Sequence, residues 1–336
     1  MKNTLTLLCF LCLPMAMRSQ SYCEFTTTAD GSQGLAFTTG KTSKNKVSAR
    51  LVTLHRNSRY QVMDGFGYAL TYSACYNLLK MSPPARHRFL VQTFSNRNGY
   101  GASYVRMSIG CNDFSSTEYT LCDKKGLENF ALHNDEKQYV LPVLKEVLAI
   151  NPAVKVIAAP WTCPRWMKVT DPVSRKPHYS WTDGRLNPAY RDVYAQYFVK
   201  FIKAMRREGI NVYAVSPQNE PLNKGNCAST FMPWEDEARL VKAMAQAFKK
   251  AGVETRIYVF DHNYNYDNMP DQYEYPIKVY TALGSSFAGS ELVVGAAYHN
   301  YGGSESELDN IRMLAPGKEL IFTETSIGTW NNGRSL

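Results

Sequence analysis

From about residue 60 onward, short apolar runs alternate with longer stretches whose apolar residues recur every three or four positions, and few folds accommodate that pattern. It belongs to repeated strand–helix units around a parallel sheet. The apolar runs are Gln61–Phe66, Ser103–Ile109, Val154–Ala159, Val212–Ser216, Arg256–Phe260, Leu292–Ala297 and Glu319–Phe322. Most are continuously apolar, as strands covered on both faces require. The clearest helix follows the third run. Asn187 suits an N-cap and Pro188 the first helical position. Tyr190, Val193, Tyr194, Tyr197, Phe198, Phe201, Ile202 and Met205 then fall on one face, and Gly209 ends the helix. Further helices are predicted over Pro84–Thr93, Gln138–Ile150, Trp234–Lys250 and Glu305–Leu314.

The expected fold class is therefore α/β, a (β/α)8 TIM barrel. Seven strands are legible, whereas closure needs an eighth, and after the seventh only TETSIGTWNNGRSL remains. The expectation is a barrel truncated after its seventh strand. Three segments are expected: a signal peptide over 1–20, an N-terminal β segment over 21–60, and the catalytic barrel domain over 61–336, incomplete at its C-terminus. The β segment would hold the first strands of a flanking β-sandwich. At 336 residues and 44% hydrophobic, the chain can bury a core of that size.

Lys2 followed by apolar Leu5–Met17 reads as an export signal too short to span a bilayer, so the expected location is periplasmic, cell-surface or extracellular, without stable membrane insertion. The formal charge of +9 comes from scattered basic residues, which argues against a nucleic-acid face. Export permits disulfides, and Cys111 with Cys122 would close a short loop. Beyond the signal there is no CxxC or HExxH pattern, and no GxGxxG or P-loop follows a strand. Neither a metal nor an organic cofactor is expected.

In parallel barrels chemistry sits at the C-terminal ends of the strands. The fourth strand is followed by SPQNEP, placing Glu220 at the barrel mouth, and the seventh by FTETS, placing Glu324 in the matching position. Two facing carboxyl groups suffice for glycoside hydrolysis: one protonates the leaving oxygen and the other attacks the anomeric carbon. Their surroundings must hold the two in different protonation states. Taken singly, each glutamate also suits a helix cap or a surface salt bridge. Paired after the fourth and seventh strands, they favour catalysis.

Around these residues the chain resembles glycoside hydrolase family 30, the family of glucosylceramidases and microbial β-1,6-glucanases. The resemblance rests on ordered blocks: DGFGYALTYSA, YVRMSIGCNDF, APWTCPRWMK, YFVKFIKA, VSPQNEP, YHNYGG and FTETS. It implies a (β/α)8 barrel with a flanking β-sandwich and retention of configuration, with Glu220 as acid/base and Glu324 as nucleophile. It further implies that Asn219 holds the sugar 2-hydroxyl, Asp113 grips the terminal glucose and Trp161 faces the sugar. Tyr301 would lie close to the nucleophile, and Arg106 would keep it ionised. From the residues alone, Asp113 also suits a turn cap, Trp161 packing against Trp166, and Arg106 a structural ion pair. His299 and Tyr301 suit the barrel core, Trp330 suits the mouth, and His262 is given no partner. Where the family's first-strand block commonly reads GFGG, Tyr68 stands here, and Tyr72 replaces a small or acidic residue. The implied substrate is a β-linked glucan, an oligosaccharide or a glucosylated lipid. The alternative is a truncated, non-catalytic carbohydrate-binding remnant.

Overall fold

The computed structural model describes residues 20–41, 53–264 and 269–326; the predicted signal segment and Trp330 lie outside them. The chain divides into two compact units, the larger spanning Met63–Ser326. In the smaller unit, β1 (Ser21–Thr26) and β2 (Ala36–Lys41) form an antiparallel hairpin. The described residues show this hairpin and not the expected sandwich.

The larger unit is built on seven parallel strands. In chain order its main elements are β3 (Gly67–Ala69), α1 (Tyr72–Lys80), α2 (Pro83–Phe94), β4 (Tyr104–Ser108), α3 (Leu141–Ile150) and β5 (Lys155–Ala159). A small antiparallel pair follows, β6 (Lys168–Val169) with β7 (Arg185–Leu186). Then come α4 (Arg191–Arg207), β8 (Val212–Val215), α5 (Trp234–Ala251), β9 (Arg256–Asn263), α6 (Tyr275–Leu283), β10 (Val293–His299), α7 (Glu307–Leu314) and β11 (Glu319–Glu324). The sheet order β11-β10-β9-β8-β5-β4-β3 follows the chain, as successive βα units dictate. The described strands form a curled, seven-stranded part of a barrel.

The first strand departs from expectation. It lies at Gly67–Ala69 rather than Gln61–Phe66, because pairing with β4 starts only at Gly67 opposite Tyr104. Val62 and Phe66, which looked like buried strand residues, are largely exposed. Gly67 is required by proximity: a Cβ there would stand 2.0 Å from the Tyr104 carbonyl oxygen. The helix predicted from Gln138 begins as a π-turn over Glu136–Val140. Pro142, in the first turn of α3, lacks the N–H that a regular turn would use. Asn187 caps a short 3-10 turn, accepting from the Ala189 N–H at 3.0 Å, ahead of α4 proper. Helices α1 and α6 were not anticipated from the sequence.

Side chains alternate between two clusters, as the pleat requires. Val105, Met107, Val156, Ile257, Val259, Ala296 and Tyr298 join the helices in the main core. Ile157, Ala214, Tyr258 and Ala297 form a separate inner cluster, flanked by Tyr104 and Ile321. Arg106 shares the parity of Tyr104 and faces inward. Among the described residues no cysteines pair, contrary to the expected Cys111–Cys122 link: both are free thiols, and the Cys122 Sγ faces the carbonyls of Lys124 and Gly126.

Candidate active site

Arg106 projects from the middle of β4, and the C-terminal ends of β8, β9, β10 and β11 bring Glu220, Asp261, His299 and Glu324 around it. Its Nη1 donates to Glu324 Oε2 at 2.6 Å. Its Nη2 donates to Asn219 Oδ1 at 2.7 Å and to Asp261 Oδ2 at 2.9 Å. Burial alone would make this guanidinium easier to deprotonate, but the charges of Asp261 and Glu324 outweigh it and raise its pKa. Because Asn219 spends its oxygen on Arg106, its amide NH2 is left as the donor.

One oxygen from each of Glu220 and Glu324 and one ring nitrogen of His299 lie within 4.8 Å of one another. The two glutamates have different surroundings. Glu324 is half-buried, held by Arg106 and by the Tyr301 hydroxyl at 3.1 Å. Glu220 is buried, and its Oε2 accepts from the amides of Asn223 and Asn226, each at 2.8 Å. Its Oε1 faces His299 Nδ1 at 3.3 Å, and its backbone N–H donates to the Asp261 carbonyl. Burial pushes the Glu220 carboxyl up, but the bond from His299, neighbouring imidazole charge and the Asn223 amide bring it down to about 2. Burial pulls His299 down, yet its bonds to Asp261 and Glu220 lift it to about 9. Burial holds His262 down at about 3, so the positive partner of Glu220 is His299. Both His299 ring nitrogens are turned to carboxylates, Nδ1 to Glu220 and Nε2 to Asp261, so the protonated ring has no lone pair left over.

Asp261 ties the two sides together. Its carboxylate meets Arg106, His299 Nε2 at 3.1 Å and Thr323 Oγ1 at 2.5 Å. Burial would raise its pKa, but Arg106 and His299 hold it far below the usual carboxylate range. A β-bulge makes this placement possible. Ala297 pairs with Phe260 and Tyr298 with His262, leaving Asp261 as the extra residue, and Phe260 and Asp261 both have positive φ, 74° and 59°. Without the bulge, alternation from Tyr258 would turn Phe260 inward and Asp261 outward.

Asp113 has a solvent-exposed side, but its carboxyl is partly desolvated by the surrounding site, and this, with the nearby charge of Glu324, raises its pKa. Trp161 is buried, 5% exposed, and its ring lies under Arg106 with the guanidinium carbon 5.0 Å from the centroid. It does not pack on Trp166, which instead meets Tyr190. Thus Arg106, Asn219, Tyr301 and Glu324 form one bonded cluster, joined to Glu220 through Asp261 and His299, with Trp161 beneath it and Asp113 at its rim. The residues unnamed from the sequence are Asp261, Asn223 and Asn226. Asp261 follows the predicted fifth strand directly, so the strand-end rule that found Glu220 also applies to it. Asn223 and Asn226 lie in an irregular loop and carry no such signal.

We predict that Asp261→Asn lowers stability by about 3 kcal/mol at neutral pH, because breaking a buried ion pair leaves Arg106 and His299 undercompensated. The carboxyl's folded pKa is depressed, so the wild-type advantage is full above its ordinary value of 3.8 and fades as the pH falls toward the folded value. Equal urea midpoints at pH 7 for the two chains would refute this.

The glycosyl hydrolase family 30 TIM-barrel domain matches residues 63–335. An endo-1,6-β-D-glucanase from Neurospora crassa is 29% identical over 277 residues, 80% of this chain and 54% of that protein. The lysosomal acid glucosylceramidase of Mus musculus is 30% identical over 175 residues, 51% of this chain and 33% of that protein. Among solved structures, the endo-β1,6-glucanase BT3312 superposes with a TM-score of 0.84 at 55% identity, covering 94% of this chain and 67% of that one. The chain spans about half the length of the glucanase and a third of the glucosylceramidase.

Proposed function

We propose, from the premise that the chain belongs to glycosyl hydrolase family 30, that it cleaves β-glucosidic bonds with retention of configuration, Glu324 acting as nucleophile and Glu220 as acid/base. The observation that carries this reading is the pair of carboxyl groups with oxygens within 4.8 Å of one another. Retaining glycosidases hold their carboxyls about 5–5.5 Å apart, whereas inverting enzymes need roughly 6.5–9.5 Å to admit a water.

The mechanism follows from the surroundings. Glu324 Oε1 and Oε2 are aligned by Tyr301 and Arg106, leaving the carboxylate to attack the anomeric carbon. The leaving oxygen needs a proton, and in the resting site that proton sits on His299 beside an ionised Glu220. The pair is close enough to titrate as a unit. As substrate displaces water, the proton passes from His299 Nδ1 to Glu220 and on to the departing oxygen. Water then hydrolyses the glycosyl-enzyme, with Glu220 taking its proton. The Asn219 amide NH2 suits the sugar 2-hydroxyl, where contacts strengthen in the oxocarbenium-like state. Asp113, at the rim, would accept from hydroxyls of the terminal glucose, and Trp161 would support the sugar from below Arg106.

For substrate, the 55% identity to a protein described as an endo-β1,6-glucanase favours a β-1,6-glucan over a glucosylated lipid. The intact cluster speaks against the binding-remnant alternative. Export remains part of the proposal, on the strength of Lys2 and Leu5–Met17. No helix among the described residues is long and apolar enough to cross a membrane. The expected result is release of oligosaccharides from β-1,6-glucan, with little from β-1,3-glucan or from glucosylceramide in mixed micelles. Cleavage of the lipid alone would overturn the substrate assignment. A folded chain inactive on all three and on an aryl β-glucoside would overturn catalysis.

A further inference from the structure

Glu237, in the first turn of α5, is fully buried and touches neither glutamate of the site. A buried carboxyl is costly unless it serves a partner. Its Oε1 accepts from the Phe260 backbone N–H at 2.8 Å. Phe260 opens the bulge of β9, where the ladder with the neighbouring strand is interrupted and a backbone donor would otherwise be left unsatisfied. The Tyr275 hydroxyl, which donates to the Met232 carbonyl at 2.7 Å, lies beside the same carboxyl from α6. The Phe260 ring turns away from the site to pack on Tyr275, centroids 4.9 Å apart. So one side chain from the helix layer meets the strand at the single point where its inward and outward faces exchange.

We propose that Glu237 is a positioning residue for the catalytic cluster: by capping the Phe260 N–H it holds the bulge that turns Asp261 inward onto Arg106 and His299. Two consecutive non-glycine residues at positive φ are strained and persist only where their surroundings over-determine them. Glu237 is that determinant on the outer face. Asp261, once inward, supplies the charge that keeps His299 protonated and Arg106 aligned. Burial pushes the Glu237 carboxyl up to about 7 while the bond from the Phe260 N–H pulls the other way, as suits a group whose service is hydrogen bonding rather than charge. The inference rests on the reading of Glu220 and Glu324 as the reacting pair only for its effect on rate.

The test uses the full chain with Glu237→Gln and Glu237→Asp, read by NMR titration of His299 and by kcat and KM on an aryl β-glucoside. Glutamine keeps the reach and the acceptor, so its His299 titration stays at the wild-type position and kcat changes by less than about twofold. Aspartate keeps the chemistry but withdraws the acceptor by one methylene. His299 then titrates lower, toward its ordinary value, and kcat falls roughly 10²-fold, the scale of a 1 Å misplacement, with KM nearly unchanged. An unmoved His299 titration in the aspartate variant overturns the proposal, whatever the activity. So does an equal loss in both variants, which would make charge the operative property, or unfolding of both, which would make Glu237 a stability residue alone. A moved titration with unchanged kcat would uphold the positioning role and instead refute the His299–Glu220 proton path.

Discussion

Replacing Glu324 by alanine lowers kcat on β-glucosides by roughly 10⁴- to 10⁶-fold, the scale on which losing a covalent nucleophile acts in hydrolases. The substitution removes the attacking oxygen and leaves Arg106 Nη1 and the Tyr301 hydroxyl around a vacated volume. Azide can enter that volume and attack the anomeric carbon from the face the carboxylate used, while Glu220 still protonates the leaving oxygen. One displacement inverts configuration, so the rescued product from a β-glucoside is the α-glucosyl azide. NMR of the product decides the matter. Undiminished turnover, or a β-azide, would show that Glu324 is not the nucleophile.

Replacing Glu220 by alanine has a different signature. General acid–base catalysis contributes about 10²–10⁴-fold, so cleavage of a glucan, whose leaving group is a poor one, falls by that factor. An aryl glucoside with an acidic phenol needs little protonation, and its first step survives. The glycosyl-enzyme then accumulates as a burst, because water has lost its base. Azide needs no base, so it restores turnover and yields the β-azide, the product of two inversions. A loss equal on both substrates, without a burst, would remove Glu220 from the acid/base role. The same variant leaves His299 with Asp261 as its one carboxylate partner, and its titration moves down from about 9.

How much of this was legible depended on whether a residue's job follows from its local sequence. Six of the seven described barrel strands were located within three residues at either end, because continuous apolar runs are a local signal. The first strand was misplaced because Val62 and Phe66 look like core residues, whereas pairing begins only where Gly67 lets Tyr104 approach. Glu220 and Glu324 were visible because each lies within a few residues of the C-terminal end of a predicted strand. Asp261 was passed over although it directly follows the predicted fifth strand; its inward turn was not legible there, since an ordinary strand would have pointed it outward. Its inward turn depends on Glu237, in another element, capping a backbone N–H, and no window of sequence around Asp261 contains that. Asn223 and Asn226 escaped for a related reason: their amides converge on Glu220 through the path of a loop. The π-turn over Glu136–Val140 was hidden inside what reads as one helix, and α1 and α6, each nine residues long, offer few repeats of the helical period.

Asp261 bonds both to the cation that holds Glu324 and to the cation that holds Glu220. The two halves of the proposed double displacement would therefore lean on one shared counter-ion. A change at Arg106 frees Asp261 to draw more strongly on His299, and a change at His299 does the reverse, so the energies of the two sites are coupled rather than additive. An attempt to shift the working pH through the acid/base side would also alter the nucleophile, and an attempt to sharpen the nucleophile would shift the pH range.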